Sequence, residues 1–359
     1  MQLLNSTTSQ LLESLQDIVS NLQIHSNFYI SHPAYKPLEL PSEVVARFER
    51  IPLELQNKYL SLQLQSFLYG IYYNGSLRAT LAPEANWVGL APHQNLENNT
   101  FLGIDLEFYE RLHNSNSGKG YFDPGWLVLR QESDGTLAVT KGGLTLHIER
   151  DRHLQLAEQS VTVGEEVAIL MPHNLVQNGF YMAVSDAGPD TYPDTVRVYF
   201  NFSPEGAVAV MESLTQLLNK IAIPFTFKVL YNPSDYGRYD SGVLYIRKTN
   251  YQAVREVLET VYADKRSHFR TEVPLFTKWL APGLAVAEEP DQKFTASESF
   301  GMNRCQIVAS GLLAARNALD DSPEQRMASI RQHFSLLGID LNQPYLNSNS
   351  EDIYTPLAL

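Results

Sequence analysis

The sequence predicts an α+β fold, a helical N-terminal part followed by a mixed, largely antiparallel sheet covered by helices. Three observations carry this expectation. Apolar residues recur at helical spacing over much of residues 11–73. Short alternating segments separated by glycine-bearing turns occupy residues 126–184. Residues 196–262 then switch between the two periods in the order strand, helix, strand, strand, helix.

Taken in order, Leu11, Leu12, Leu15, Ile18, Val19 and Leu22 form an amphipathic stripe. Pro41-Ser42 opens a second helical pattern through Val44 and Phe48, and residues 52–73 carry a third, rich in Leu and aromatic side chains. Residues 74–100 read as a polar loop, and residues 106–113 as one more short helix. Residues 114–120, Asn-Ser-Asn-Ser-Gly-Lys-Gly, read as a flexible loop. The pattern then turns to β: residues 126–130, a turn at Asp134-Gly135, residues 137–140, a turn at Gly142-Gly143, and residues 144–149 make a meander. Residues 161–163, 167–171 and 180–184 add short strands.

In the central stretch Val196, Val198, Phe200 and Phe202 alternate with Arg197, Tyr199 and Asn201, which gives a strand with one oily and one polar face. Ser203-Pro204-Glu205 supplies a cap, a first-turn proline and an acid at the positive end of a helix. Ala207, Met211, Leu214, Leu218 and Ile221 are its buried stripe. Phe225, Phe227 and Val229 oppose Thr226 and Lys228 in a second strand. A third sets Val243, Tyr245 and Arg247 against Leu244 and Ile246. Asn250 is placed to cap a helix buried through Tyr251, Val254, Leu258 and Val261. Residues 273–292, VPLFTKWLAPGLAVAEEPDQ, read as a proline-bearing loop, and two further helices follow, one over residues 299–319 and one holding Met327, Ile330, Phe334 and Leu337. The division expected is a helical region at 1–115, an α+β domain at 116–340, and a polar, mobile tail at 341–359.

Composition bounds the function. A chain of 359 residues, 44% apolar, buries a sizeable core. Its net charge of −13 argues against a nucleic-acid partner but allows a local cationic pocket. The single cysteine, Cys305, excludes an internal disulfide and suits a reducing, cytoplasmic setting. The N-terminus lacks the basic-then-apolar pattern of a signal peptide, and no apolar run approaches the ~20 residues of a membrane span.

Few motifs point to chemistry. Ser117-Gly118-Lys119-Gly120 resembles a fragment of a phosphate loop but lacks the earlier Gly and the Ser or Thr after the Lys. Lys119 could still reach an anion from a closing loop. His147 and His153 have no carboxylate cluster to complete a metal site, so no metal or other cofactor is expected. G-x-S-x-G is absent, and Cys305 reads as a small buried residue. The most site-like feature is the polar sheet face, expected to be uncovered. It collects Arg197, Tyr199, Asn201, Lys228, Tyr245 and Arg247, with Arg238 in the adjoining loop. A solvated face with arginines paired to carboxylates such as Asp240 is the plain alternative. A phosphate monoester would satisfy several of these cations together.

The segments SGKGYFDPGW, NGFYMAVSDAG, VRVYFNFSPEGA, FKVLYNPSDYGRYDSGVLYIRK, VPLFTKWLAPGLAVAEEP and SFGMNRCQIVASGLL resemble the HopA-type family of type III secretion effectors, notably its stand-alone cyanobacterial members. That resemblance implies a phosphothreonine-lyase-like fold and a carbon–oxygen lyase. In lanthipeptide and thioamidated-peptide pathways such a protein works with a separate kinase. It eliminates phosphate from phosphoserine or phosphothreonine of a ribosomal precursor peptide, leaving dehydroalanine or dehydrobutyrine. Carried over by motif, the lysine of FKV is Lys228, the loop arginine Arg238, the strand tyrosine Tyr245 and a later arginine Arg304. The K-x-H pair of the phosphothreonine lyases falls on Arg197 and Tyr199, so the lysine base and histidine acid are replaced. The chemistry of such an elimination needs a base, a proton donor and a cationic clamp, for which the candidates are Lys228 or Lys119, Tyr199 or Tyr245, and Arg197, Arg238, Arg304 and Lys228 respectively. The alternative is a phosphopeptide- or protein-binding module without turnover.

Overall fold

The computed structural model describes residues 2–84, 104–189, 194–318 and 320–358. Most of the expected 74–100 loop, and the expected helix end at Leu319, therefore lie outside the described residues. The chain opens with α1 (Gln2–Asn21), and then departs from the helical expectation. β1 (Gln23–Ser26), β2 (Tyr29–His32) and β3 (Tyr35–Glu39) form a small antiparallel sheet. α2 (Ser42–Phe48) and α3 (Leu53–Leu68) follow, and α3 runs on into a π-helical turn, Tyr69–Tyr73. α4 (Leu106–Ser115) is capped by Asp105, whose side chain accepts from the Phe108 N–H.

The meander is present as β4 (Tyr121–Gln131), β5 (Leu137–Lys141) and β6 (Leu144–Ile148), and after α5 (Arg150–His153) it is completed by β7 (Glu166–Met171). The large sheet comprises β8 (Asn174–Gln177), β9 (Phe180–Val184), β10 (Thr195–Phe200), β11 (Thr226–Leu230), β12 (Gly242–Arg247), β13 (Lys278–Ala281) and β14 (Leu284–Glu288). Its order is β13-β14-β10-β12-β11-β9-β8, antiparallel throughout. α6 (Pro204–Lys220) follows β10, and α7 (Tyr251–Lys265) follows β12, as the periodicity predicts. Ser203 caps α6 through Gly206 N–H, whereas Asn250 gives α7 no side-chain cap because it sits in a preceding 3₁₀ turn. α8 (Phe300–Asn317) and α9 (Pro323–Leu336) close the fold.

One core runs from Leu11 to Leu357, so the N-terminal helices and the large sheet are packed as one body. The meander has a second core of its own around Trp126, Val139, Val167 and Ile169. The cores therefore divide at the meander, and not near residue 115. The tail also differs from expectation: Tyr345, Leu346, Tyr354 and Leu357 are buried, and Leu357 N donates to Leu280 O at 2.9 Å. Its apolar anchors are few but each finds a slot, which overrides the polar composition.

One face of the sheet, with Val198, Phe200, Phe227 and Leu244, is buried under α6 and α7; Phe200 meets Phe269 just beyond α7. The opposite face carries the cations. It is covered at its β10 end, against expectation, by the π-helical turn and the start of α8. Tyr199 lies edge-on to Tyr73 and packs on Phe300. The approach is close because α8 has a glycine there: a Cβ on Gly301 would lie 2.3 Å from the Tyr73 ring.

Candidate functional site

Register assembles the site. β10–β12 pairing sets Arg197 opposite Tyr245, and β11–β12 pairing sets Thr226 opposite Tyr245 and Lys228 opposite Val243. β11–β9 pairing places Met182 beside Lys228 and Phe180 beside Leu230. Cross-strand partners share a face, so Arg197, Tyr199, Tyr245, Lys228 and Phe180 line one surface.

Arg197 is held by Glu289, which also takes Lys293. Burial alone would raise the Glu289 carboxyl, but Arg197 and Lys293 outweigh it and hold it below its ordinary range. Arg238 grips Asp240 with two N–H groups, Nη2 donating to Oδ2 at 2.8 Å, and Tyr69 Oη adds a third bond at 3.2 Å. Burial pushes the Asp240 carboxyl up, and Arg238, with help from Lys228, brings it down below its usual value. Both arginines thus follow the plain alternative, paired to carboxylates.

Lys228 is different. It stands in mid-strand, half-buried, with Nζ 4.6 Å from the Phe180 ring centre and 5.3 Å from that of Tyr245. No described carboxylate lies within ion-pair distance of it. The flanking arginines touch the same rings: Arg238 Cζ is 5.8 Å from Phe180, and Arg197 Cζ 5.1 Å from Tyr245. Among the described residues, Arg197, Lys228, Arg238 and Lys293 face only two ion-paired carboxylates, Glu289 and Asp240, so this patch is locally cationic in an acidic chain.

Tyr245 is half-buried between the two cations, open enough to touch a ligand. Tyr199 is buried at 2% exposure, and among the described residues its hydroxyl finds no partner with good hydrogen-bond geometry, although the Tyr73 phenol lies beside it. Burial, first, raises its phenol well above the ordinary value. Asn201 is buried past the end of β10 and donates to Glu272 O at 2.9 Å.

Two predicted residues are not brought to this surface. Arg304 is 1% exposed and donates to Pro344 O, Leu346 O and Asn303 Oδ1, fastening the tail. Burial lowers its pKa to about 10, so it stays charged at neutral pH. Lys119 lies on the other side of the sheet. Its loop is tied down by Asn116 to Tyr181 Oη, Ser117 to Thr215 on α6, and Lys119 N–H to Asp186 at 2.6 Å. Tyr181 shares the face of Phe227 and Val229, opposite to that of Lys228.

Sequence reading missed Phe180, Glu289 and Lys293 as parts of the site. Phe180 had a signal: Asn178-Gly179 is the strongest short hairpin marker, and it fixes Phe180 as the first residue of a strand. Glu289 had none, since it lies 92 residues from its partner.

The HopA1 effector protein family model matches residues 171–346, a span that holds β8 to α9 and every residue of the cationic face. The family resemblance carried by the motifs therefore holds over the large sheet. Two solved structures are similar. The effector protein from Pseudomonas syringae pv. tomato strain DC3000 is 15% identical, with a TM-score of 0.48 over 97% of this chain and 100% of that one. The effector protein from Pseudomonas syringae pv. syringae strain 61 is 14% identical, with a TM-score of 0.47 over 96% of this chain and 99% of that one. No curated protein matches the chain. Among the described residues no helix is long and apolar enough to cross a membrane.

Proposed function

We propose that the Lys228 face binds a phosphorylated serine or threonine of a peptide and eliminates its phosphate. The single observation that carries this is Lys228 itself. A lysine is set in mid-strand between two rings with no described carboxylate as partner, and a guanidinium stands on either side of it. Unpaired cations of this kind are held for an anion or a proton.

In this reading Lys228, in its unprotonated form, takes the Cα proton. The Cα–H electrons form the Cα=Cβ bond, and the Cβ–O bond breaks with its pair going to phosphate. Arg238 and Arg197 spend only part of their five donors on their carboxylates and turn the remainder toward the leaving phosphate. Tyr245, between Lys228 and Arg197, hydrogen-bonds the departing oxygen. The products are a dehydro residue and inorganic phosphate, with no oxidant or water consumed. A peptide kinase is the class of reaction that must supply the substrate.

A second reading, binding without turnover, is favoured by Tyr199. It occupies the histidine position of the K-x-H motif, and its burial keeps it from a bound peptide. Mass spectrometry of phosphoserine and phosphothreonine peptides incubated with the protein separates the two. Loss of the elements of phosphoric acid supports the lyase. Intact peptides that nevertheless bind support the module. A free hydroxyl product would contradict both.

A further inference from the structure

Among the described residues, nothing pairs with the outer edge of β8. β8 is last in the sheet order, and among the described residues its one strand neighbour is β9. The hairpin is firmly seated: Asn178-Gly179 makes its turn, and Gly179 exchanges hydrogen bonds with Tyr231, N–H to Oη at 2.9 Å and O from N–H at 3.3 Å. The ladder phase follows from one bond. Val184 N donates to His173 O at 2.8 Å, so the hydrogen-bonded pairs fall at residues 173, 175 and 177. The N–H and C=O groups of Asn174 and Val176 therefore point outward. Among the described residues none takes the outward groups of Val176.

Edges are ordinarily blunted by lysine, proline or a bulge. Asn174-Leu175-Val176-Gln177 has none of these, and its register is unbroken. Leu175 is 40% and Val176 60% exposed. Leu175 lies on the face of Met182 and Lys228, since it pairs with Met182. This edge thus belongs to the sheet that carries the cationic face.

We propose that β8 takes an extended segment of the phosphorylated peptide as an added antiparallel or parallel strand; this rests on the phosphopeptide reading above. An added strand would lie three spacings from β11, about 14 Å from Lys228 at ~4.8 Å per strand. That is about four residues of extended chain, so the docked segment lies roughly four or more residues from the phosphorylated side chain. A second copy of this chain fits the edge less well. A stable dimer buries about 800 Å² per partner, and a four-residue strand with two exposed apolar side chains offers far less. A peptide already tethered at Lys228 needs only a modest further gain, because the second contact is intramolecular.

The test uses the full chain and synthetic peptides. The core probe is a short phosphothreonine peptide. The extended probe adds a Thr-Val-Thr-Val arm five residues away, on either side. Controls carry the arm with N-methylated amides, or the arm without phosphate. The expected result is ~10-fold tighter binding of the extended probe, with slowed hydrogen exchange at the Val176 amide. N-methylation of the arm, or Val176→Pro, removes the gain and leaves core-probe affinity unchanged. The proposal is overturned if the arm adds nothing, or if the gain survives Val176→Pro. It is also overturned if the Val176 amide is protected without peptide as protein concentration rises, which would mean edge-to-edge pairing of two copies. If the core probe fails to bind, the reading of the Lys228 face fails. Protection of Val176 by the arm without phosphate still decides the edge.

Discussion

The β10 end of the cationic face and its β11 end are built to different ends. At the β10 end Arg197 is committed to Glu289, in the loop before β12 Arg238 is committed to Asp240, and away from this face Arg304 is committed to tail carbonyls. At the β11 end Lys228 meets rings instead of carboxylates. The first arrangement cancels charge inside the fold and holds distant segments together. The second leaves charge for something outside. Residue type alone does not distinguish the two roles; the partner does.

That contrast can be broken at several points. Asp240→Ala should be the most damaging, at about 3–5 kcal/mol, since it strands Arg238 and Tyr69 beside a buried hole. Chemical denaturation measures it. Arg304→Met should cost about 3 kcal/mol, because the Pro344 and Leu346 carbonyls lose their donor. Hydrogen exchange should rise across the tail while the meander is unaffected. Gly301→Ala should cost about 1–3 kcal/mol by pushing α8 off Tyr73, and Tyr fluorescence together with thermal melting would report it. Lys228→Met should change stability least, by about 1 kcal/mol or less, yet abolish phosphopeptide turnover or binding.

Acid sharpens the same comparison. The Asp240 and Glu289 carboxyls are both depressed in the fold, despite burial that pushes them the other way. Their contribution is therefore fully present above the unfolded values, near 3.8 and 4.5, and is lost as pH falls through the folded ones. Stability should drop in acid below about pH 4, and Asp240→Asn should flatten that limb of the profile.

Much of the central unit was legible because its two periods are clean. Val196, Val198 and Phe200 against Arg197 and Tyr199, and the stripe from Ala207 to Leu218, are unambiguous, and the predicted strand-helix-strand-strand-helix order is the order found. The first sheet was not legible, since Gln23–Ser26 and Tyr29–His32 are four residues each and mix polar with apolar positions. β8 was missed although Asn178-Gly179 marked its turn. The covering of Tyr199 and the docking of the tail depend on contacts distant in sequence, such as Tyr73 with Tyr199 and Leu357 with Leu280. Periodicity carries no information about such partners. The same limit hid the fate of Arg304: its helix was predictable, and its three acceptors were not.

The central claim is that Lys228 is kept for an external phosphate, and competitive labelling of lysines tests it most directly. An amine-selective reagent, read by peptide mass spectrometry, should modify Lys228 faster than Lys248 and Lys278, which are bound to Glu288 and Asp352. A phosphothreonine peptide should slow labelling at Lys228 alone, and its unphosphorylated twin should not. Labelling of Lys228 that is indifferent to the phosphopeptide would contradict the account.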